Sequence, residues 1–352
     1  MKLALLISGN VLKAPYIQSY LNILDQSNVE YKVITWNRLV IEEQNTIPFN
    51  LKSGEGREYF NRLIGYLRYV HFVKKQLKNE NYDKVIVFTI ALGIFLLPFL
   101  NKRFSNKYIF DIRDRSIVGN VLKKKVAKLI EDSFFTVISS MGYLSWLPKS
   151  EKFVLSHNCA YPLDFHKSTI NFPQNKYLIV TIGTLRDYET NSQIIKVLGN
   201  HPNYNLKFVG SGPSLSAFRQ IVSENGFTNI EFTGGYKKHE ELAHLYGTHF
   251  INLLINLTIN SKTCMGNRMY LSAITGIPLL VNSKTYQAEV VSQYNLGCII
   301  DFDKPLINQI ENYIKSFNIE LFDKGRMEFL KIVGIETATF EFKLKLFLNE
   351  ES

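Results

Sequence analysis

The chain contains few of the residues that mark small or specialised folds. Among its 352 residues there are only 3 cysteines, 10 prolines and 20 glycines. The cysteines (Cys159, Cys264 and Cys298) are far apart and odd in number. This excludes a disulfide framework and a cysteine-based zinc site, and it fits a reducing compartment. The low glycine and proline content excludes a fibrous or low-complexity protein.

Long apolar runs are also missing. The longest covers residues 85–100, sixteen positions that include Thr89 and Pro98, and it is shorter than the roughly 20 residues needed to cross a bilayer. The first run, residues 3–8, has six positions and no small-residue cleavage site. It predicts a buried strand rather than a secretory signal. We therefore expect a cytoplasmic protein with no transmembrane segment.

Positive charge is concentrated in the first half of the chain. Residues 1–160 contain 23 Lys and Arg against 13 Asp and Glu, which accounts for the whole net charge of +10, while the remainder has 18 of each. Residues 57–79 combine basic residues with apolar ones at helical spacing. A solvated amphipathic helix and a surface resting on anionic lipid both fit this pattern. Nucleic acid is not expected as a partner, because zinc spacing, an RNA-binding aromatic pattern and a basic tail are all missing.

Short apolar runs alternate with helical patterns along the whole chain. This alternation predicts parallel sheets that are covered by helices on both faces. A turn-rich segment, residues 158–176, separates two series of predicted strands. They cover residues 3–8, 31–35, 85–89, 107–111, 135–139 and 152–156, then 177–182, 206–210, 230–233, 250–254, 278–281 and 297–300.

The order of elements predicts an α/β fold of two Rossmann-like, doubly wound domains that face each other across a cleft. The predicted domains are residues 1–160 and 161–335, followed by a C-terminal helix in 336–352 that could pack back towards the first domain. Further helices are predicted at 192–198, 214–224 and 239–246. Ligands bind at the carboxyl ends of strands in such sheets, so we expect the site there.

Two glycine turns in the second half favour a phosphate site. The sequence TIGTLRDYE runs from a strand through Gly183 to Arg186, and free N–H groups at such a turn, together with a guanidinium, suit a phosphate. The sequence FVGSGPS places Gly210 and Gly212 between another strand and a helix, where glycine permits close backbone approach. Each turn alone is common in α/β proteins, but their order within one domain is more specific.

A third motif, GNRMYLSAITGIPLLV, contains Asn267, Arg268 and Gly276. Taken in order with LGCIIDFD, the three motifs resemble the nucleotide-sugar half of GT-B glycosyltransferases. The resemblance is greatest to the large retaining bacterial family that assembles capsule, exopolysaccharide and lipopolysaccharide. It covers most of residues 176–320. It implies that Arg186 grips the donor diphosphate, that Arg268 supplies a second phosphate contact, and that the segment before Gly276 holds the nucleoside.

The chain departs from that family at two carboxylates. The family usually has two glutamates before its Gly-x-Pro, and the matching positions here are Thr263 and Leu271. A frequent lysine after the arginine is also absent, and Asn191 lies near its place. Either the donor is held differently or catalysis is lost. A non-catalytic relative and a nucleotide-sugar epimerase therefore remain alternatives to a transferase.

The first half supplies the expected acceptor residues. The sequence FDIRDR resembles the family's E-x-R-D stretch beside the acceptor, where a carboxylate could orient an acceptor hydroxyl and take up its proton. An Asp–Arg pair that caps the following helix is the alternative. The catalytic candidates are Asp111, Arg113 and Asp114. The residues expected to line the cleft are Gly9, Asn10, Lys13 and His157. For His157, a contact in the hinge between the domains is an equally good interpretation.

These observations predict a metal-independent glycosyltransferase that needs no cofactor. Its donor would be a UDP- or GDP-sugar, and its acceptor a lipid-linked saccharide in bacterial surface polysaccharide synthesis. Helix N-termini and arginines would stabilise the leaving diphosphate in place of a metal. The basic first domain would hold the protein at the inner face of the cell membrane. The histidines at 239, 244 and 249 are spaced poorly for a metal site on a helix.

Overall fold

Two parallel sheets organise the chain, and each belongs to a separate unit. A computed structural model describes residues 1–52, 59–159, 161–173 and 175–350, with the side chains of 59–62 left aside. The first unit comprises Met1–Asn158 with Ile335–Ser352, and the second comprises Cys159–Gly334.

The first unit is built on a fully parallel sheet. Its strands in the described residues are β1 (Lys2–Ile7), β2 (Glu30–Asn37), β3 (Thr46–Asn50), β4 (Lys84–Phe88), β5 (Tyr108–Ile112), β6 (Phe135–Ile138) and β7 (Phe153–Leu155). They lie in the order β3-β2-β1-β4-β5-β6-β7. Its helices are α1 (Gln18–Leu24), α2 (Tyr59–Asn79), α3 (Ile90–Arg103), α4 (Ile117–Val121) and α5 (Lys123–Asp132). The central strands are buried throughout, as expected of a parallel sheet with both faces covered.

The second unit repeats this plan with a smaller sheet. Its described strands are β8 (Tyr177–Ile182), β9 (Tyr204–Val209), β10 (Ile230–Gly234), β11 (Phe250–Leu253), β12 (Leu279–Asn282) and β13 (Gly297–Ile300). They lie in the order β10-β9-β8-β11-β12-β13, again all parallel. The helices are α6 (Tyr188–Leu198), α7 (Leu215–Glu224), α8 (Asn267–Thr275), α9 (Tyr286–Tyr294), α10 (Leu306–Ser316) and the first part of α11 (Ile319–Asn349), which passes into the first unit at Ile335.

Both sheets reverse their winding direction beside their first strand. β1 lies between β2 and β4, and β8 lies between β9 and β11. Such a reversal opens a crevice at the carboxyl ends of the strands, where ligands of doubly wound sheets bind. In the first unit Gly9 and Asp111 lie near that edge, and in the second unit Gly183 and Gly210 do. The predicted α/β fold of two Rossmann-like domains is confirmed.

The predicted strands are all present, each within two residues of its expected bounds. One strand, β3, was not predicted, because it is a half-exposed edge strand interrupted by Pro48, which lacks the N–H that a central strand needs. The helix predicted at 239–246 is wrong. That segment forms two short 3-10 turns, Lys238–Glu240 and Ala243–Leu245, since so short a stretch has little helical stability of its own.

The helix expected in 336–352 begins earlier, at Ile319, and continues to Asn349 as α11. Its last turns belong to the first unit, where Phe340, Leu344 and Phe347 are buried in the core.

The helix predicted at 57–79 is α2, which starts at Tyr59, and residues 57 and 58 lie outside the described residues. Among the helices that the structure describes, none combines the length and the hydropathy of a membrane-spanning segment.

A buried lysine holds the C-terminal end of α11 to the first unit's sheet. Lys84, at the start of β4, is 2% exposed. Its Nζ donates 2.6 Å hydrogen bonds to the carbonyl oxygens of Phe347 and Glu350. Phe347 lies in the last turn of α11 and Glu350 directly follows the helix, so neither carbonyl has a partner within the helix. Burial lowers the pKa of Lys84.

We expect Lys84→Met to destabilise the first unit by about 1–3 kcal/mol, because it leaves two helix-end carbonyls without their donor. Both tryptophans of the chain, Trp36 and Trp146, lie in this unit, so urea unfolding followed by tryptophan fluorescence measures its stability alone. The exposed Lys102 on α3, changed to Met, is the control. Equal stability of the two variants would contradict the role of Lys84.

Candidate functional site

The glycine turns of the second unit have different structural roles. Gly183 follows β8 with φ +105°, and a Cβ there would meet no described atom within 4 Å. Gly210 follows β9 with φ +135°, and a Cβ there would lie 1.9 Å from the carbonyl oxygen of Gly183. A Cβ on Gly212 would lie 2.3 Å from the carbonyl oxygen of Leu185. Gly210 and Gly212 therefore let the two turns pack together, while Gly183 borders open space. The N–H groups of Gly183 and Leu185 donate to the carbonyl oxygens of Val209 and Ser211 at 2.9 and 3.0 Å, so the expectation of free N–H groups at this turn is wrong for these two residues.

Arg268 is fixed at the reversal point of this sheet. It lies in the first turn of α8, and its Nε donates to the carbonyl oxygen of Ile182 at 2.8 Å. Its Nη1 donates to the carbonyl oxygen of Asn252 at 2.6 Å. These carbonyls belong to the carboxyl ends of β8 and β11. Its Nη2 donates no hydrogen bond to any residue that the structure describes, so one edge of the guanidinium keeps its capacity for a ligand.

Charged groups of both signs surround Arg268. Burial is the main cause that lowers the pKa of Arg268; Asp187, Tyr236 and Glu241 act to raise it, and Arg186 lowers it further. Arg186 is therefore within electrostatic range of Arg268, and its own side chain is exposed. Two cations share the surroundings of the open turn at Gly183. Such a pair favours an anion with several charged oxygens.

Reciprocal hydrogen bonds hold the start of α6 against the loop after β11. The Asp187 carboxylate accepts from the backbone N–H of Asn256 at 3.0 Å, and the Asn256 side chain accepts from the N–H of Thr190 at 3.0 Å. Asn191 is buried and accepts from Asn252 at 2.8 Å. The residue near the place of the family's lysine is thus part of an internal network. It fixes the segment that carries Arg186.

The remaining donor candidates divide between surface and core. Asn267 is exposed as the first residue of α8. Gly276 ends α8 with φ +72°, and a Cβ there would lie 3.0 Å from the side chains of Arg326 and Ser168. Gly276 therefore serves internal packing. Leu271 is 3% exposed on the inward face of α8, so a carboxylate at this position would be buried among apolar side chains.

A buried carboxylate near Arg268 was not predicted. Glu241 is 8% exposed and accepts hydrogen bonds from Tyr161, Lys238 and, at 2.6 Å, Tyr236. Burial raises the pKa of Glu241, and Arg268 lowers it. Nothing in its polar local sequence distinguishes it from an exposed glutamate. The structure brings it into the electrostatic surroundings of Arg268.

The three histidines of this region, His239, His244 and His249, have different environments. His239 is exposed, His244 packs edge-on against Tyr236, and the Nδ1 of His249 accepts from the N–H of Leu178 at 3.0 Å. No group of three or more possible metal ligands occurs among the residues that the structure describes.

In the first unit, Asp111 and Arg113 form a buried pair. Arg113 donates from Nε to Oδ1 of Asp111 at 2.6 Å and from Nη2 to Oδ2 at 2.7 Å. The hydroxyl of Tyr20 donates to the same carboxylate at 2.5 Å. Burial acts to lower the pKa of Arg113, but Asp111 raises it above its usual value. Asp111 is 0% exposed, so this pair fixes the end of β5 and is closed to solvent.

Asp114 differs from Asp111, because it is exposed in the loop that follows β5. The backbone before it is held in place. The carbonyl oxygen of Arg113 accepts from the hydroxyls of Tyr143 at 2.5 Å and of Ser139 at 3.3 Å. The guanidinium of Arg113 also donates to the carbonyl oxygen of Ser156 at 3.2 Å. Asp114 is therefore a solvent-facing carboxylate on a fixed support.

The other expected cleft residues are partly structural. Asn10 is 2% exposed, accepts from the N–H groups of Arg38 and Leu39 and donates to two further side chains. Its amide therefore supports the loop after β2. His157 is paired with Glu336 at 2.7 Å. Gly9 borders open space in the described part of the chain, and Lys13 is exposed.

No family model matches the chain, and no curated protein matches it in a comparison of sequences. Several solved structures are similar over almost its full length. A sucrose-phosphate synthase from Thermosynechococcus elongatus has a TM-score of 0.71 at 15% identity, covering 99% of this chain and 100% of its own. HepE from Anabaena, in complex with UDP, has a TM-score of 0.69 at 12% identity, covering 98% and 100%. The lipopolysaccharide outer core galactosyltransferase WaaB has a TM-score of 0.64 at 11% identity, covering 98% and 100%.

At such low identity, these similarities bear on the fold alone. The resemblance to GT-B glycosyltransferases that the motifs predicted is confirmed at this level. Membership of the large retaining bacterial family stays a prediction. The chain therefore has the fold of the GT-B glycosyltransferases, with two Rossmann-like domains.

Proposed function

We propose that the protein is a glycosyltransferase that uses a nucleotide-diphosphate sugar, with UDP or GDP as the nucleotide. The observation that carries this proposal is the placement of two arginines beside an open glycine turn. Arg268 is held by strand-end carbonyls with one edge unused, and Arg186 adds a second positive charge nearby. The similar HepE structures in complex with UDP and with UDP-glucose support a nucleotide sugar as the donor.

In this mechanism the second unit stabilises the leaving group. When the bond between the anomeric carbon and the diphosphate oxygen breaks, negative charge develops on the diphosphate. Arg186 and Arg268 donate charge-assisted hydrogen bonds to it, and the N–H groups at the start of α8 add to the positive potential. These groups would perform the role that a divalent metal has in other transferases.

The first unit receives the acceptor. Asp114 orients the acceptor hydroxyl and takes up its proton as the new bond to the anomeric carbon forms. We propose a retaining outcome, with attack on the face from which the diphosphate leaves. The acceptor that we propose is a lipid-linked saccharide of bacterial surface polysaccharide synthesis, and the protein would act at the inner face of the cell membrane. The excess of basic residues in 1–160 supports this location.

One observation favours a second candidate, a non-catalytic relative that binds a nucleotide sugar. The positions of the family's paired glutamates hold Thr263 and a buried Leu271, so the usual carboxylate contacts to the donor are missing. Slow release of sugar from a nucleotide sugar distinguishes the two. Release supports the transferase, whereas donor binding without turnover across a panel of nucleotide sugars supports the non-catalytic relative.

We expect Arg186→Ala to weaken binding of UDP or GDP by about tenfold to a hundredfold, the effect of losing a hydrogen bond to a charged group. Titration calorimetry measures the affinity, and the thermal shift with nucleotide should fall in parallel. The control is Arg219→Ala, which removes an exposed arginine of α7 in the same unit. Unchanged affinity in Arg186→Ala, or an equal loss in Arg219→Ala, would contradict the proposed diphosphate site.

We expect Asp114→Asn to lower sugar transfer by about 10²–10⁴-fold, the usual contribution of a general base. Asp111→Asn should instead destabilise the first unit by about 3–5 kcal/mol, because it leaves the Arg113 charge buried without its partner. Tryptophan fluorescence during urea unfolding and the rate of sugar release separate the two effects. A fully active Asp114→Asn variant would remove Asp114 from the mechanism.

A further inference from the structure

The short helix α4 presents three branched apolar side chains to solvent. Ile117, Val118 and Val121 are 79%, 37% and 75% exposed. They follow β5 and Asp114 directly, on the loop edge where the acceptor is proposed to bind. Soluble proteins rarely keep such a cluster exposed without a partner for it.

The orientation of α4 is fixed by its inward side. Ser116 caps the helix by accepting from the N–H of Gly119 at 2.9 Å. Gly119 is buried, and a Cβ there would lie 2.9 Å from the side chain of Ile90 on α3. Because the glycine side of α4 packs against α3, the apolar side chains at 117, 118 and 121 are held outward.

Unpaired positive charge follows immediately. Lys123, Lys124 and Lys125 open α5, all three are exposed, and none makes an ion pair within the described ranges of the chain. By contrast, Lys128 in the next turn pairs with Asp132 at 2.7 Å. The inward face of α5 buries Val126, Leu129 and Ile130, so the lysines remain on the solvent side. Exposed apolar groups beside unneutralised lysines complement an apolar layer covered by anionic headgroups.

An indole lies next to this surface. Trp146 and Lys123 line one cavity of about 240 Å³, which also contacts Gly119, Asn120 and Val126. The indole Nε1 is buried and has no hydrogen-bond partner in the described residues. Tryptophan is enriched at the level of lipid headgroups because its ring is amphipathic. Trp146 is thus placed to report on anything that contacts α4 and α5.

The helix first considered for the membrane, α2, lacks a run of lysines beside its exposed apolar residues. Its exposed apolar residues, Leu63, Ile64 and Leu67, lie in the first part of the helix. Its lysines at 74, 75 and 78 lie about 15 Å further along, at 1.5 Å of rise per residue. One exposed arginine, Arg68, lies beside Leu67, but the three lysines do not share a surface with the exposed apolar residues.

We propose that α4 and the first turn of α5 dock on an anionic membrane. Ile117, Val118 and Val121 enter the apolar layer, and the three lysines lie among the headgroups. The inference refines the membrane association in the proposed function and rests on it. It names the surface that brings the acceptor side of the first unit to a lipid-linked substrate.

The test uses vesicles of phosphatidylglycerol and brominated phosphatidylcholine, with binding followed by sedimentation and by quenching of tryptophan fluorescence. We expect quenching of Trp146 and not of Trp36, which is 0% exposed in the core; Trp146→Phe should remove the signal.

Changing all three lysines at 123–125 to Gln should weaken binding about a hundredfold, since each contributes about 1 kcal/mol. Ile117→Ser with Val121→Ser should weaken it at least tenfold. The matched control changes Lys74, Lys75 and Lys78 of α2 to Gln and should alter binding by less than threefold.

Vesicle binding without quenching of Trp146, or an equal loss in the α2 control, would overturn the assignment to α4 and α5. If the wild-type protein binds UDP or GDP but no vesicles, the membrane surface is wrong while the donor site stands, and a protein partner for α4 becomes the better explanation. If it binds vesicles through this surface but no nucleotide, the docking proposal stands and the transferase proposal fails.

Discussion

The chemistry of this protein depends on how an arginine is neutralised at the carboxyl edge of each sheet. In the first unit, Arg113 faces the carboxylate of Asp111 at 2.6 Å, so its charge is balanced inside the fold. In the second unit, Arg268 is held by two backbone carbonyls, which accept its hydrogen bonds but carry no net charge. The carboxylates of Asp187 and Glu241 act on the pKa of Arg268, but neither makes an ion pair with it in the described part of the chain. This difference in direct pairing is the basis of our proposal that an anionic donor binds to the second unit.

The sequence was sufficient to predict the fold because the strands are buried on both faces. Such strands are short apolar runs, and the alternation with helical patterns leaves few other arrangements. β3 was not predicted because it is an edge strand that contains Pro48, and its sequence pattern is that of a loop. The prediction of a helix at 239–246 was wrong because periodicity alone does not reveal that so short a stretch has little helical stability of its own.

The sequence was enough to predict which kinds of residue lie at the candidate site, but not the contacts that these residues make. The glycine turns and Arg186 were identified because each stands next to a predicted strand, and Arg268 was identified from the motif that resembles the glycosyltransferase family. The partners of these residues come from distant parts of the chain, and spacing alone does not reveal them. Asp111 and Asp114 illustrate this, since they are three positions apart and have opposite environments. Asp111 lies in the buried strand β5 and accepts hydrogen bonds from Tyr20 and Arg113, whereas Asp114 lies in the exposed loop that follows.

The glycine turns bear on how relatives of this chain should be compared. Gly210 and Gly212 are required by the contact between two turns of the protein itself, whether or not a nucleotide binds. A descendant that had lost activity long ago would still be under selection to keep them, since any side chain there would clash with backbone. Their presence says nothing about whether a lineage still transfers sugar. Arg186 supports no part of the fold that we describe. A substitution at Arg186 would therefore be an earlier sign of lost function than a change at either glycine.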